Sequence, residues 1–199
     1  IMTKKVNVTG VILAGGLARR MDQQDKGLVL FNNQPMVSYA IQAMQPVVDE
    51  LFINANRNIE QYQAFGYSVV SDATSDFYGP LAGVCAALNN CEHDLLLVMP
   101  CDSPFMSTAG LQLLLAEQQR HDADIAVAFD GKRLHPVFMA LKVSLKSSLQ
   151  DYLAKGERKI DRWIELHNWV KADFSVMPEV FENINTLAQL HELASKGDA

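Results

Sequence analysis

Residues 13–27 read LAGGLARRMDQQDKG and combine small, basic and acidic residues in one short stretch. Gly15 and Gly16 have no Cβ, so their backbone N–H groups can come close to a ligand. Arg20 and Lys26 can bring positive charge to phosphate oxygens, arginine through its planar fork and lysine as a point charge. The spacing is neither that of a Walker A loop nor that of a G-x-G-x-x-G motif. The stretch therefore indicates an anion-binding loop, and its structural alternative is a flexible surface loop with solvated charges.

Carboxylate and amide side chains follow three later apolar runs. Asp102 comes after DLLLVMPC, and a carboxylate in such a place suits Mg²⁺ that is also bound by substrate phosphates. Asp72 ends another run, and either aspartate could instead be a turn or cap residue. Asn54 follows a further run, and its amide can both donate to and accept from a base or a sugar. Its structural alternative is an ordinary loop asparagine.

A second glycine-flanked turn, GPLAG, covers residues 79–83 and precedes a helical pattern. Its functional interpretation is a close approach of the backbone to a ligand. Its structural alternative is helix initiation through Pro80, since proline is well suited to the first turn of a helix.

The bulk composition excludes several classes of protein. The chain has 199 residues, of which 49% are hydrophobic and 20% charged, which suits one globular domain with a full core. The net charge of −6 argues against general nucleic-acid binding, which needs a broad basic surface. No apolar run approaches the roughly 20 residues of a membrane span. The three cysteines lack CxxC spacing, which argues against a disulfide framework or a zinc site and favours the reducing cytoplasm.

The elements that position these residues alternate between strand and helix. Strands are predicted at 6–14, 50–56, 67–72, 94–102, 123–129, 135–141 and 168–175. Helices are predicted at 36–44, 58–66, 81–90, 108–120, 143–156, 159–166 and 187–196. Buried strands separated by helices predict an α/β three-layer sandwich around a mostly parallel sheet. Because ligands of such sheets bind beyond the carboxyl ends of the strands, the polar residues named above are expected to share one edge.

Seven stretches of the chain, in this order, resemble the molybdenum cofactor guanylyltransferases: LAGGLARRMDQQDKG (13–27), NANR (54–57), GPLAG (79–83), PCDSP (100–104), HPVF (135–138), LAKGERK (153–159) and ENINT (182–186). The first stretch is shared more loosely by many nucleotidyltransferases, whereas the later ones make the resemblance specific. The likeness covers nearly the whole chain.

The resemblance implies one domain over residues 1–199 with a Rossmann-like nucleotidyltransferase fold. Its N-terminal part would bind GTP and its C-terminal part molybdopterin. The implied reaction is a Mg²⁺-dependent transfer of GMP from GTP to molybdenum-molybdopterin, which yields the guanine dinucleotide cofactor and pyrophosphate. We therefore expect GTP and molybdenum-molybdopterin as substrates, Mg²⁺ as the cofactor, transient contacts with cofactor-insertion proteins, and a monomer in the cytoplasm.

The resemblance also implies roles for individual residues, carried over by position. The residues matched to GTP contacts are Leu13, Ala14, Gly15, Lys26, Asn54, Asp72 and Asp102. The residues matched to catalysis are Arg20, Lys26 and Asp102, of which Asp102 is also the magnesium ligand. The residues matched to molybdopterin binding are Arg158, Asn183 and Asn185.

One departure from the family pattern falls inside the first stretch. The family usually has glycine after Arg-Met, whereas this chain has Asp22 and Gln23. Asp22 would repel a triphosphate at close range. Either the loop follows another path, or Asp22 helps to hold a metal or pairs with Arg19.

Three other functions stay open at this point. The nearest is a cytidylyltransferase that acts on the same cofactor, although LAGG and PLAG favour guanine within the family. The next is a sugar-phosphate nucleotidyltransferase, against which the short chain and the GERK and NINT stretches argue. The third is a nucleotide-binding carrier or regulatory module without turnover, against which Lys26 and Asp102 argue.

Overall fold

The computed structural model describes residues 6–16, 24–73 and 79–184, together with Glu192. Within these residues the strands are β1 (Val8–Leu13), β2 (Leu30–Phe31), β3 (Gln34–Pro35), β4 (Glu50–Asn54), β5 (Ser68–Val70), β6 (Leu95–Pro100), β7 (Ile125–Phe129), β8 (Leu134–Lys142) and β9 (Trp169–Asp173). The helices are α1 (Met36–Met44), α2 (Ile59–Gln63), α3 (Pro80–Asn90), α4 (Thr108–His121), α5 (Lys146–Ala154) and α6 (Ile160–Ile164). Short 3₁₀ helices cover Lys26–Leu28, Gln45–Val47, Val143–Leu145 and Pro178–Phe181.

The large elements agree with the hydrophobic pattern, and the differences lie at their ends. The strand predicted at 50–56 ends at Asn54, and the helix predicted at 143–156 begins as a 3₁₀ turn before α5. Such end differences of one to three residues are expected where helices fray and strands leave the ladder. Apart from Glu192, the helix predicted at 187–196 lies outside the described residues.

Seven strands form one sheet in the order β5-β4-β1-β6-β8-β7-β9. The pairs β4–β5, β1–β4, β1–β6 and β7–β9 are parallel, and β8 runs antiparallel to both β6 and β7. The predicted mostly parallel sheet is therefore confirmed. The first four strands of this order all point their carboxyl ends to the same edge, which we call the carboxyl edge.

Helices cover both faces of this sheet, which confirms the three layers. Residues of β6 alternate between the two faces: Leu97 packs with α1 and α4, whereas Leu96 packs with α3, α5 and α6. Both leucines are fully buried. This alternation follows from the two-residue repeat of a strand, and it explains why the run reads as continuously apolar.

The hairpin of β2 and β3 was not predicted. Leu30 pairs with Pro35 and Phe31 with Gln34, across a two-residue turn of Asn32 and Asn33. Both asparagines have positive φ, 47° and 62°, as a tight hairpin turn of this length requires. The strands are too short to show an alternating pattern, so the Asn-Asn pair is the one sequence signal for this turn.

The helices within the described part of the chain are all too short, or too polar, to cross a bilayer.

Candidate active site

The carboxyl edge brings together polar residues from four separate parts of the chain. Gly15 follows β1, Asn54 ends β4, Asp72 follows β5 and Asp102 follows β6. Because these strands are parallel neighbours in the sheet, their ends meet at one edge although their sequence positions are far apart. The predicted convergence of these residues is confirmed.

Lys26 and Asp102 form an ion pair at this edge. Lys26 begins the 3₁₀ turn after the first loop, and its Nζ donates to Asp102 Oδ2 at 3.0 Å. The two side chains are 27% and 12% exposed, so the pair is partly shielded from water but still reachable. An amine and a carboxylate held this close give one place where a phosphate and a cation could both be bound.

A cluster of two amides and one carboxylate lies at the same edge, at the ends of β4 and β5. Asn54 is 3% exposed, and its Nδ2 donates to the Val70 carbonyl at 3.1 Å and to Asp72 Oδ1 at 2.9 Å. Asn56 Nδ2 donates to Asp72 Oδ2 at 2.9 Å, and the Asp72 backbone N–H donates to Asn56 Oδ1 at 2.9 Å. Both carboxylate oxygens of Asp72 are therefore held in place. Both amide hydrogens of Asn54 act inside the protein, so its predicted contact with GTP would have to use its oxygen.

Two glycines are required by the packing around Asn54. A Cβ on Gly15 would lie 2.8 Å from Asn54 Oδ1 and 2.8 Å from Asn56 Nδ2. A Cβ on Gly83 would lie 2.3 Å from Asn54 Oδ1 and 2.9 Å from Leu13 Cδ2. The glycines of LAGG and PLAG thus allow two backbone segments to close on one buried amide. This structural role accounts for them without a ligand, and their predicted approach to a nucleotide stays a prediction.

The other residues of the predicted nucleotide loop are tied to the sheet through their backbones. The Ala14 N–H donates to the Asn54 carbonyl at 2.8 Å, and the Leu13 carbonyl accepts from the Cys101 N–H at 3.1 Å. Ala14 is buried and Leu13 half-buried. The chain therefore leaves β1 in a fixed direction, towards the carboxyl edge. Gly79 opens α3 at φ 128°, with Pro80 as its first residue, as predicted for GPLAG.

Asn183 reaches the same edge from the other end of the chain. The Ser103 hydroxyl donates to Asn183 Oδ1, and the Ile184 N–H donates to the Asp102 carbonyl at 3.1 Å. Asn183 is exposed, whereas Ser103 is 1% exposed. A residue matched to molybdopterin binding therefore lies next to the residue matched to magnesium binding.

Arg158 is held differently. Its Nη1 donates to the Leu153 carbonyl at 3.0 Å and to the Glu157 carbonyl at 2.6 Å, at the end of α5. Both contacts lie within residues 153–158, so they do not themselves join Arg158 to the carboxyl edge.

Four residues of interest lie outside the described residues. They are Arg20 and Asn185, which were predicted as site residues, and Asp22 and Gln23, which depart from the family pattern.

Asn56 and Ser103 are site residues that were not among the predicted ones. Each is one or two positions from a predicted residue, Asn54 and Asp102 respectively. The sequence signal was the repeated asparagine in NAN and the hydroxyl in DSP, but neither pattern says which side chain turns into the site.

Near the carboxyl edge, two described groups that have a shifted pKa, Cys101 and Tyr62, are uncharged ones. Burial raises the pKa of the Cys101 thiol well above its usual range, and neighbouring Asp102 raises it further. Cys101 therefore stays a neutral thiol, which agrees with the interpretation of this residue as a small buried hydrophobe.

No three histidine, cysteine, aspartate or glutamate side chains converge on a metal position in the described part of the chain.

Solved structures share this fold at low sequence identity. The chain resembles molybdopterin-guanine dinucleotide biosynthesis protein A from Archaeoglobus fulgidus with a TM-score of 0.79 and 20% identity, over 96% of this chain and 98% of that one. It resembles a nucleotidyl transferase from Methanothermobacter with a TM-score of 0.73 and 18% identity, over 96% and 97% of the two chains. At these identities the likeness shows the fold alone, which is that of the Rossmann-like nucleotidyltransferases.

Sequence comparison narrows this class. The profile of the MobA-like NTP transferase domain matches residues 10–171. A molybdenum cofactor guanylyltransferase from Shewanella halifaxensis is 49% identical over 186 residues, which are 94% of this chain and 93% of the relative. The chain belongs to the molybdenum cofactor guanylyltransferase family, and the resemblance drawn from its motifs is confirmed.

Proposed function

We propose that this protein transfers GMP from GTP to molybdenum-molybdopterin and releases pyrophosphate. The observation that carries the proposal is the Lys26–Asp102 pair, 3.0 Å apart at the carboxyl edge of four parallel strands. The chain that contains this pair is 49% identical to a relative named as this transferase, over nearly the full length of both.

The reaction depends on positioning the two substrates and on neutralising their negative charge more than on a general base. A phosphate oxygen of molybdopterin attacks the α-phosphorus of GTP, the new P–O bond forms, and the bond to the departing pyrophosphate breaks. A phosphate monoester is already anionic, so no side chain has to remove a proton. Catalysis then rests on holding the groups in line and on offsetting the negative charge. Lys26 serves this role by turning its Nζ from Asp102 towards the phosphates when GTP binds.

The residues at the edge fit a magnesium ion that arrives with the triphosphate. Mg²⁺ is usually held by one or two carboxylates together with substrate phosphates and waters, rather than by a cage of side chains. Asp102 offers such a carboxylate, and the described residues contain no larger cluster of ligands. When bound, Mg²⁺ would neutralise charge on the phosphates. Asp72, whose two oxygens are held by Asn54 and Asn56, is the second fixed carboxylate at the edge.

The molybdopterin side of the site rests on fewer contacts. Asn183 is exposed and held by the Ser103 hydroxyl, so it can present its amide to a second substrate beside Asp102. Arg158 has its guanidinium at the end of α5, and we propose that its positive charge binds the same substrate. We propose that both substrates meet across Asp102, and that the reaction takes place in the cytoplasm.

The test is a transfer assay with purified protein, molybdenum-molybdopterin, Mg²⁺ and one nucleoside triphosphate at a time. We expect pyrophosphate release and a guanine dinucleotide product with GTP, and no comparable product with CTP or ATP. Omission of Mg²⁺ or of the molybdopterin substrate is expected to stop the release. A dinucleotide formed from CTP instead would assign the related cytidylyl transfer, and GTP binding without any product would indicate a carrier module.

A further inference from the structure

Residues 54–62 contact both ends of the glycine- and arginine-containing loop. At its start, Asn56 Nδ2 donates to the Gly15 carbonyl at 3.3 Å. At its end, Asn58 Nδ2 donates to Asp25 Oδ2 at 3.1 Å, and the Tyr62 hydroxyl donates to Asp25 Oδ1. The segment between β4 and the end of α2 thus holds the loop on both sides, more than 30 positions away in sequence.

The Asp25 side chain is bound by these distant groups and not by the 3₁₀ turn that follows it, whereas its backbone carbonyl accepts from the Leu28 N–H of that turn at 3.0 Å. It precedes the 3₁₀ turn of Lys26–Leu28, where an aspartate side chain commonly caps the backbone N–H groups. Its side chain makes no such cap, and its carboxylate faces Asn58 and Tyr62 instead. The Asp25 side chain therefore ties the start of the turn to Asn58 and Tyr62.

Tyr62 is a buried anchor. Its side chain is fully buried, and a buried hydroxyl without a partner would cost free energy. Burial raises the pKa of Tyr62 far above its usual range, and Cys101 and Asp25 raise it further. The phenol is consequently a permanent donor to Asp25.

Gly27 packs against the same phenol. A Cβ on Gly27 would lie 2.4 Å from Tyr62 Oη and 3.1 Å from its Cε1. Lys26 therefore stands between two residues that both contact Tyr62. Its Nζ reaches Asp102 from this fixed stretch of backbone, at 3.0 Å.

We propose that Tyr62 and Asn58, acting through Asp25, are positioning residues that hold Lys26 in the orientation in which it binds the nucleotide. They touch neither substrate; they fix the backbone from which Lys26 reaches the phosphates. The inference rests on the proposed function only in taking GTP as the ligand of Lys26.

The first test is Tyr62→Phe, which keeps the ring and removes the donor. Since Lys26 would no longer be held in place before GTP binds, GTP affinity should fall about tenfold. The matched control is Tyr39→Phe, which removes a hydroxyl that donates to the Phe31 carbonyl at 2.8 Å in the hairpin. We expect GTP affinity of the control to match wild type.

The second test asks whether the effect passes through Lys26. GTP binding is measured for wild type, Tyr62→Phe, Lys26→Ala and the double variant, since binding needs no turnover. We expect Tyr62→Phe to weaken binding in wild type and to change it little when Lys26 is already alanine. An equal fold-loss in both backgrounds would overturn the proposal, because it would show an effect independent of Lys26.

A third variant covers the case in which Tyr62→Phe does not fold. Asn58 is exposed and has φ 52°, so Asn58→Gly removes its amide while it allows the same backbone conformation. We expect weaker GTP binding with an unchanged unfolding midpoint, again only when Lys26 is present. Wild-type GTP affinity in a folded Asn58→Gly would also overturn the proposal, whether or not Tyr62→Phe folds. Binding of GTP with this coupling, but without a dinucleotide product, would support the positioning role while rejecting the proposed function.

Discussion

The two ends of the carboxyl edge are built in different ways. On one side, which we propose binds the nucleotide and call the nucleotide side, residues after β1, β4 and β5 contact one another because these strands are parallel neighbours. On the other side, Asn183 follows the 3₁₀ helix Pro178–Phe181, and its side chain accepts a hydrogen bond from the Ser103 hydroxyl. The first side is set by the sheet ladder, and the second by the packing of the segment 178–184 on the sheet.

Phe181 shows what holds that second segment. Its ring stacks on His135 at 4.0 Å and meets Phe138 and Phe174 edge-on at 5.1 and 5.0 Å. His135 Nε2 lies 2.7 Å from Asp130 Oδ2, in the turn between β7 and β8. Aromatic packing of Phe181 and two hydrogen bonds at Asn183 and Ile184 thus place this segment, whereas hydrogen bonds from Asn54 and Asn56 place Asp72. We therefore expect a single substitution on the nucleotide side to leave the positions of its neighbours largely unchanged but to reduce activity strongly. A substitution on the other side should displace its neighbours more and reduce activity less.

The largest effect is expected from Asp102→Asn on the nucleotide side. Loss of this carboxylate removes the partner of Lys26 and the proposed magnesium ligand, so transfer should fall on the order of 100-fold or more, with GTP binding weakened less. The matched control is Asp94→Asn, whose carboxylate accepts from the Asn7 N–H at 3.3 Å near the other end of β6. Initial rates of pyrophosphate release would check this, and a fully active Asp102→Asn would exclude the metal assignment.

The next effect concerns stability on the same side. Asn54→Ala removes two hydrogen bonds of a buried amide, one of them to the Asp72 carboxylate, and should lower the free energy of unfolding by about 2 kcal/mol. Asn56→Ala removes hydrogen bonds of an exposed amide and should lower the free energy of unfolding by less. Urea unfolding of both variants gives the comparison. Equal losses would mean that burial of Asn54 does not decide its contribution.

A smaller effect is expected from Asn183→Ala on the other side. If Asn183 presents its amide to molybdopterin, its loss should raise the KM for that substrate about tenfold and leave the KM for GTP near wild type. Glu182→Ala, an exposed neighbour, is the control. A change in the KM for GTP alone would assign Asn183 to the nucleotide and remove the division between the two sides.

The smallest effect is a pH dependence confined to the C-terminal half. Burial lowers the pKa of His167, so the folded protein binds its proton less readily than the unfolded chain does. Stability should therefore fall as the pH drops below about 6.5, the ordinary pKa of histidine. His167→Gln should remove this part of the slope in unfolding curves between pH 7.5 and 5.5. Tyr62 and Cys101 on the nucleotide side stay neutral in this range because their pKa values are raised. An unchanged slope in His167→Gln would show that another group titrates.

Several features could be predicted because they depend on local pattern. The apolar runs at 94–102 and 123–129 contain β6 and β7, and glycine with proline marks the start of α3. The shared edge followed from the rule for parallel sheets, without knowledge of the strand order. The hairpin at Asn32–Asn33 was missed because its strands are only two residues long.

The contacts that place the site residues could not be predicted. Asp25 reads as a cap for the turn that follows it, yet it binds Tyr62 and Asn58 from another helix and loop. Asn56 reads as a strand residue, yet it lies past the end of β4 and holds Asp72. Such pairings depend on which segments meet across the sheet, and one sequence carries no distances between them.

The family, the layered α/β architecture and the cationic residues that could bind phosphate were all predicted from the sequence. These depend on side-chain chemistry and on the repeat of apolar positions, both of which are local. Three contacts needed the three-dimensional structure: Lys26 faces Asp102, Asn54 directs its amide hydrogens inward, and Asn183 returns to the same edge. Those outcomes follow from the order of the strands and the close packing of helices on them, which bring together groups that lie 76 and 80 positions apart.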